Sequence, residues 1–453
     1  MMAQIRYVFV ALAVLISLHY ILSFTNETYG NATSFNNPKD QFAGDTGAAG
    51  SNSQGSSGTG SNPPSHDTGS KPPPNNAGSK PPPNNGISAP PNNGVSDPPY
   101  RPSEPEEYYG QKNTTHLSPV GRKANAAFVM LARNGDLEGA VASVKQMEDR
   151  FNKKFNYPYV FLNEEPFSEE FKTRITTITD SQVQFGLIPN DHWVQPKWCA
   201  FSVENEIGTN CSITGSMAKT RASANRAEMQ KNNVIYGGSL PYRNMCRFNS
   251  GFFYRHELLK PFKYYWRVEP DVKFFCDLDY DPFLVMQDQN KKYGFTVSLP
   301  EYPATIPTLW NTVKEFINAN PGLVSSDNAM GFLSDDGGET YNRCHFWSNF
   351  EIADLDLWRG EAYSKFFDFL DEKGGFYYER WGDAPVHSIG AALFARKDQI
   401  HFFNDIGYRH EPFQHCPQGE AHKRGKCWCD PQQNFDYEWY SCLNKYDSLF
   451  QKS

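Results

Sequence analysis

The hydrophobic residues of this 453-residue chain fall into three regions that differ in pattern. Residues 7–24 form one uncharged apolar run, YVFVALAVLISLHYILSF, whereas residues 35–107 contain almost no aliphatic side chain. From about residue 118 onwards, short apolar runs alternate with polar ones, as they do in the helices and strands of a folded domain. This pattern predicts an N-terminal anchor, a long spacer and one large globular unit.

The apolar run predicts a transmembrane signal-anchor over residues 7–24. At 1.5 Å per residue the run spans roughly 27 Å, which suits a thin bilayer. A cleaved signal peptide is the alternative, but the run is long for one and no clear small-residue cleavage site follows it. Arg6 precedes the run, and no Lys or Arg follows it before Lys39. Residues 1–6 are therefore expected in the cytoplasm and the rest in the lumen, which is a type II topology.

Residues 25–117 are predicted to be a luminal stem without a packed core. The nine-residue unit GSKPPPNNA at 69–77 is nearly repeated at 78–86, and its prolines favour extended polyproline II. Gly, Ser, Asn and Pro bury too little apolar surface to offset chain entropy. Four N-x-S/T triplets, which fit a luminal location, are acceptors for N-glycosylation: Asn26, Asn31, Asn113 and Asn210.

Residues 118–453 begin with the pattern of a βαβ unit. Residues 126–132 form an apolar run of strand length, Asp136 is placed to cap a helix with apolar positions every three or four residues up to Phe155, and residues 157–162 form a second strand. A right-handed crossover makes the two strands parallel, so the fold class is α/β. Further strands are expected at 265–268 and 293–299.

Ligands of such sheets bind at the carboxyl ends of the strands, here near residues 133–134 and 163–164. Lys and Arg total 43 against 51 Asp and Glu, a net charge of −8, which makes nucleic acid a poor partner.

Nine cysteines in an oxidising lumen are expected to form disulfides and leave at least one thiol free. Zinc is the rival interpretation for the last four cysteines, Cys416, Cys427, Cys429 and Cys442, although their spacing is not C-x-x-C.

Three acidic segments are candidates for chemistry. Glu269 and Asp271 follow an aromatic run, and two carboxylates at a strand end can hold Mg²⁺ or Mn²⁺ against a diphosphate. Similar acidic pairs recur at 277–281, so the pattern alone favours a solvated loop for each of these pairs. Glu351 lies among bulky apolar residues, where a carboxylate can act as a nucleophile, or it is a surface acid at the start of a helix.

The sequence pattern alone does not decide the roles of two further residues. Asp383 is either the N-cap of the apolar helix at 389–394 or part of a sugar site, since the residues around it are rich in aromatic rings. His410 lies in the segment GYRHEP, where it either ligates a metal or is simply hydrogen-bonded.

Four segments together resemble the fungal α-1,2-mannosyltransferases of glycosyltransferase family 15. They are YGGSLPYRNMCRFNSGFF at 236–253, YYWRVEPDV at 264–272, FWSNFEIAD at 346–354 and RWGDAPVHS at 380–388. The resemblance covers residues 120–445 in the family's order. It implies a GT-A catalytic domain with a mixed sheet flanked by helices, GDP-mannose as donor, Mn²⁺ as cofactor, retention of the anomeric configuration and a Golgi membrane location. The proline-rich stem is not part of the family's pattern.

The resemblance also assigns site residues. Glu269 and His410 match the family's metal ligands, and the Glu-Pro-Asp that takes the place of D-x-D in other GT-A enzymes falls on Glu269 and Asp271. Glu351 matches the proposed nucleophile. The other matches are expected to lie near the donor or the acceptor: Arg133, Tyr242, Asp271 and Asp383.

The expected function is a retaining α-1,2-mannosyltransferase that moves mannose from GDP-mannose to a mannose-terminated N- or O-linked glycan. A luminal mannan-binding lectin on the same fold is the alternative, and it would need neither Glu351 nor a metal. A retaining glycosidase would use two carboxylates about 5 Å apart and no nucleotide, which the Glu-Pro-Asp segment argues against.

Overall fold

The computed structural model describes residues 122–196 and 215–450. The predicted anchor at 7–24, the stem and the four N-x-S/T triplets lie outside the described residues. Within the described ranges, no helix is both long enough and apolar enough to cross a membrane.

The described residues contain a seven-stranded sheet, a three-stranded sheet and a two-stranded sheet. The strands are β1 (Ala126–Leu131), β2 (Tyr159–Asn163), β3 (Val183–Leu187), β4 (Tyr264–Arg267), β5 (Lys273–Phe274), β6 (Tyr293–Phe295), β7 (Ser298–Pro300), β8 (Cys344–Phe346), β9 (Glu351–Asp354), β10 (Ile400–Phe402), β11 (Tyr408–His410) and β12 (Phe413–His415).

The large sheet is mixed and has the strand order β10-β6-β9-β4-β1-β2-β3. Strands β4, β1, β2 and β3 run parallel to one another, and so do β6 and β10, while β9 runs antiparallel to both β4 and β6. The fold is therefore the α/β class that the sequence predicts, with a mixed sheet flanked by helices.

The α-helices of the described residues pack on both faces of the large sheet. The two hydrophobic cores between the helices and the sheet are rich in aromatic side chains. The helices are α1 (Leu137–Met147), α2 (Lys153–Phe155), α3 (Glu169–Thr177), α4 (Asn190–Trp193), α5 (Gly215–Lys231), α6 (Leu240–Gly251), α7 (Pro282–Asp288), α8 (Leu309–Ala319), α9 (Met330–Leu333), α10 (Leu355–Arg359), α11 (Glu361–Lys373), α12 (Gly375–Tyr378), α13 (Asp383–Phe394), α14 (Gly419–Arg424) and α15 (Leu443–Ser448).

The predicted βαβ unit is confirmed, since β1 and β2 are parallel and α1 connects them. Asp136 occupies the N-cap position of α1, but its carboxylate accepts from the backbone N–H of Arg133 at 2.8 Å instead of from the helix. The predicted single helix up to Phe155 is interrupted by a π-helical segment over Glu148–Asn152.

The single strand expected at 293–299 is wrong. The segment forms β6 in the large sheet and β7, which pairs with β8 in a separate ribbon. Thr296 and Val297 lie between the two strands and are buried, so the continuous apolar pattern does not reveal where the chain changes sheets.

The described residues contain three disulfides. Cys276–Cys427 and Cys344–Cys442 join the C-terminal segment to the rest of the domain, and Cys416–Cys429 lies within that segment. The zinc interpretation of the last four cysteines is therefore wrong, because all four sulfurs are in disulfide bonds. Cys246 is a free, buried thiol, as the odd cysteine count leads one to expect.

Candidate active site at the carboxyl edge of the sheet

The candidate site lies at the edge where β1 and β4 end and the antiparallel β9 begins. Val129 of β1 is in register with Arg267 of β4, and Arg267 is in register with Glu351 of β9. Glu351 and Arg267 line the same small cavity of about 10 Å³, which has room for about one water molecule. The strand pairing therefore brings together two charged residues that are far apart in the sequence.

Glu351 is the first residue of β9 and is only 1% exposed, so the interpretation of a surface acid at a helix start is wrong. Three donors converge on its carboxylate. The Tyr265 hydroxyl donates to Oε1 at 2.7 Å, the Tyr293 hydroxyl donates to Oε2 at 3.0 Å, and His387 Nδ1 lies 3.0 Å from Oε2. Burial and the neighbouring Glu351 raise the pKa of both tyrosines well above the usual value, so both keep their protons.

Arg267 links the other acidic residues of the site. Its guanidinium donates to Asp383 Oδ2 at 2.6 Å and to Glu269 Oε1 at 2.5 Å. Ser348 Oγ also donates to Asp383 Oδ2, at 2.9 Å. Asp383 is the first residue of α13, whose N-cap is Gly382, so the prediction of Asp383 as an N-cap is wrong. Its carboxylate fixes Arg267 instead.

Glu269 and His410 form the pair of groups that best fits a divalent cation. Strand β11 pairs with β5 and places His410 Nε2 3.5 Å from Glu269 Oε2. Burial alone would raise the pKa of Glu269, but Arg267 and His410 outweigh burial and hold this pKa at about 2. A carboxylate oxygen together with an imidazole nitrogen is a donor set that suits Mn²⁺.

Asp271 lies two residues after Glu269 but contacts a different part of the domain, Gly139 of α1. Its backbone has a φ of 62°, in the left-handed region that Asp tolerates better than most residues. Its N–H donates to the carbonyl oxygen of Gly139 in α1 at 3.2 Å. A Cβ atom at Gly139 would lie 2.6 Å from Asp271 Cγ, so this glycine allows the acidic loop to approach the helix.

Arg133 follows β1 at the same edge of the sheet. Its Nε donates to Glu164 Oε1 at 2.9 Å, and Glu164 follows β2. Asn163, the last residue of β2, has a buried side-chain oxygen without a hydrogen-bond partner among the described residues. The structure therefore places Arg133 with β2 rather than in direct contact with the carboxylates around Arg267.

Tyr242 lies in the first turn of α6, and the Ser239 side chain caps this helix. Its ring stacks on Tyr236 at 4.2 Å, and the Arg380 guanidinium lies 5.2 Å from its ring centre. Burial raises the pKa of the Tyr242 phenol well above its usual value, so the hydroxyl remains a donor.

The sequence analysis missed four residues that hold the site together: Tyr265, Arg267, Tyr293 and His387. Arg267 is an arginine inside the apolar run YYWRV, and a cation in such a run is a signal for a buried partner. His387 lies in the middle of α13, and its Nε2 is 2.9 Å from the carbonyl oxygen of Asn249. The tyrosines carried no signal, because their neighbours in the sheet come from distant segments.

Comparison with known proteins finds a family whose profile matches all of the described residues. The profile of the glycolipid 2-alpha-mannosyltransferase family, glycosyltransferase family 15, matches residues 98–450. Glycolipid 2-alpha-mannosyltransferase 1 of Candida albicans is 52% identical over 328 residues, which cover 72% of each chain. Alpha-1,2 mannosyltransferase KTR1 of Saccharomyces cerevisiae is 51% identical over 331 residues, which cover 73% of this chain and 80% of that protein.

Two solved structures share the fold. The Mn/GDP form of core-mannan synthase A from Aspergillus fumigatus has a TM-score of 0.65 and 42% identity, covering 74% of this chain and 87% of that one. The mannosyltransferase Ktr4p of S. cerevisiae in complex with GDP has a TM-score of 0.66 and 39% identity, covering 75% and 85%. With this agreement in sequence and fold, the chain belongs to glycosyltransferase family 15, the glycolipid 2-alpha-mannosyltransferase family.

Proposed function

We propose that this protein is a retaining α-1,2-mannosyltransferase that moves mannose from GDP-mannose to a mannose-terminated glycan. The observation that carries the proposal is the buried Glu351 carboxylate, which three donors fix beside Arg267 at the carboxyl edge of the sheet. Its relatives are named α-1,2-mannosyltransferases, and two related structures contain GDP. A lectin on this fold would not need such a carboxylate.

The donor is proposed to bind at the end of β4. Glu269 and His410 would hold Mn²⁺, the ion in the related Mn/GDP structure, and the bound ion would neutralise the diphosphate leaving group. Arg267 keeps the Glu269 carboxylate pointed at this position. Asp271 and Arg133 lie on the same edge, on the side of β1, and are proposed to contact the donor.

Retention of configuration can follow two routes. In one, a carboxylate displaces GDP from the anomeric carbon to form a mannosyl-enzyme, and the acceptor hydroxyl then displaces the carboxylate. In the other, the bond to GDP breaks and the acceptor hydroxyl bonds to the same face of the anomeric carbon, passing its proton to the released diphosphate, while a carboxylate stabilises positive charge on the sugar. Three donors on Glu351 lower its reactivity as a nucleophile, which favours the second route. In both routes Glu351 supplies fixed negative charge. Tyr242 and Asp383 are proposed to contact the acceptor.

The proposal extends to the location of the protein. The apolar run at 7–24, with Arg6 before it and no Lys or Arg after it until Lys39, supports a single-pass type II protein of the Golgi membrane. The proline-rich residues 25–117 would then separate the catalytic domain from the membrane.

Detergent-solubilised full-length protein tests the proposal. With GDP-mannose, Mn²⁺ and α-methyl mannoside, we expect GDP release that depends on the mannoside and a disaccharide with an α-1,2 linkage. A chelator should abolish transfer, and Mn²⁺ should restore it. Mannoside binding without any GDP release would instead support the lectin, and an α-1,3 product would contradict the proposed linkage.

A further inference from the structure

A second concave surface lies beyond the metal-binding pair, between β12 and the loop that follows the 3-10 turn Pro431–Gln433. We call it the aromatic cleft. It has a volume of about 270 Å³. Four rings line it: Phe413, Phe435, Trp439 and Tyr440. Trp439 is 75% exposed, and its ring centre lies 5.3 Å from that of Tyr440.

The walls of the aromatic cleft are fixed to each other. The Phe435 N–H donates to the carbonyl oxygen of Gln414 at 2.9 Å, and Gln414 Nε2 donates to the carbonyl oxygen of Asp430 at 3.1 Å. The Cys416–Cys429 disulfide joins the same two segments. The cleft is therefore formed before a ligand arrives, which lowers the entropic cost of binding.

Amide and carboxylate side chains surround the rings. Gln432, Gln433, Asn434 and Glu438 contribute side chains to the lining. The Gln432 and Glu438 side chains are exposed, and neither has a hydrogen-bond partner within the described part of the chain. Rings that stack on C–H faces, together with amides and a carboxylate that bind hydroxyl groups, are the chemistry of a carbohydrate site.

Other ligand classes fit this lining less well. No Lys or Arg is among the described residues of the cleft, so phosphates, sulfated glycans and nucleic acids lack a counter-charge there. No Leu, Ile, Val or Met lines it either, in contrast to grooves that bind an apolar helix. A neutral sugar chain is therefore the best match.

The aromatic cleft is connected to the candidate active site through Trp347. The Trp347 ring lies 4.9 Å from the His410 ring and 5.7 Å from the Phe413 ring, measured between ring centres. Trp347 also precedes Ser348, which donates to Asp383. A glycan that places one end in the active site can therefore continue past Trp347 towards the cleft.

We propose that the aromatic cleft binds the inner residues of a mannoside acceptor, those behind the terminal mannose that receives the new sugar. This inference rests on the proposed transferase function, because it takes the active site as the position of the terminal mannose. Trp439 would be the main stacking platform, and Gln432 and Glu438 would bind hydroxyl groups of the same sugar unit. The cleft would thus favour long acceptors over short ones.

The test compares Trp439→Ala with Trp428→Ala in the full-length protein. Trp428 is a matched control, since it is 52% exposed and packs on Phe275 outside the cleft. For each variant, kcat/KM is measured with mannotetraose and with α-methyl mannoside. We expect the ratio of the two values to fall about 5- to 10-fold in Trp439→Ala, the loss of one stacked ring, and to stay at the wild-type value in Trp428→Ala.

Calorimetric titration of mannotetraose without donor separates this inference from the proposed function. Binding by the wild type that is weakened in Trp439→Ala supports the cleft, even if no mannose transfer is detected and the transferase proposal fails. Conversely, active wild type with an unchanged ratio in Trp439→Ala, or wild type that does not bind mannotetraose, overturns the cleft proposal while leaving the transferase intact.

Discussion

At the residue scale, the His387 side chain connects Glu351 to helix α6. His387 Nε2 lies 2.9 Å from the carbonyl oxygen of Asn249, a residue of α6. On the other side of the ring, Nδ1 lies 3.0 Å from Glu351 Oε2. His387 therefore keeps the Glu351 carboxylate in a fixed position relative to α6.

Glu351→Gln tests the role of this carboxylate. The variant keeps the shape but removes the negative charge, so we expect kcat to fall about 10³-fold while the Kd for GDP stays unchanged. The matched control is Glu148→Gln, because Glu148 is another buried glutamate that accepts from a tyrosine, Tyr159, away from the site. It should lose stability and keep its kcat. A Glu351→Gln variant with a tenth of the wild-type kcat would point to Asp383 instead.

His401 makes the stability of the domain depend on pH. Burial, with Lys291 adding a smaller effect, lowers the pKa of His401 to about 3. The unfolded chain takes up a proton near pH 6.5, and the folded chain does not, so stability is full above pH 6.5 and is lost as the pH falls towards 3. Between pH 7.5 and pH 5 this residue should cost roughly 2 kcal/mol of the free energy of unfolding.

Urea unfolding of the wild type and of His401→Gln at both pH values measures this effect. The difference between the two proteins removes the contributions of other titrating groups. It should change by roughly 2 kcal/mol between pH 7.5 and 5 and stay constant between pH 7.5 and 8.5. A difference that is constant over the whole range would show that His401 is protonated without cost in the folded protein.

At the scale of elements, sequence patterns predicted what neighbours in the chain determine. The β1-α1-β2 unit followed from apolar periodicity, because its strands and helix are consecutive. The pairing of β4 with β9 and of β5 with β11 could not follow from periodicity, since each joins distant segments. Glu269 and His410 were therefore predicted as a pair from family resemblance alone. The role of Asp383 could not be decided from the sequence, because its partner, Arg267, lies in another element.

The disulfides should stabilise the fold by an amount that rises with the logarithm of the length of the loop that each closes. Cys344–Cys442 joins β8 to the start of α15 across 98 residues, whereas Cys416–Cys429 closes 13 residues. The entropy of the unfolded chain predicts that replacing both cysteines of the first bond by Ala costs more than replacing those of the second, by roughly 1.8 kcal/mol. Urea unfolding of the two double variants measures this difference. Equal losses would show that native packing, rather than the loop, sets the cost.

At the scale of the whole molecule, residues 1–117 are predicted to carry no catalytic role. Every residue of the candidate site lies between Arg133 and His410, and the described domain contains both aromatic-rich cores. A truncated protein that begins at Ser118, placed behind a cleavable signal peptide, should be secreted and should have the same kcat per folded molecule as the full chain. Lower kcat in a truncated protein whose circular dichroism and melting temperature are unchanged would assign the stem a role in catalysis.

The C-terminal segment has a consequence for biosynthesis. A ribosome translates Glu269 well before His410, and Cys442, which closes onto Cys344, comes later still. The two proposed cation ligands therefore meet only when nearly the entire polypeptide has been made, and the Cys344–Cys442 disulfide can form only after that. A chain that terminates before His410 would contain most of the large sheet but would not use GDP-mannose. Only complete chains would therefore consume this donor in the cell.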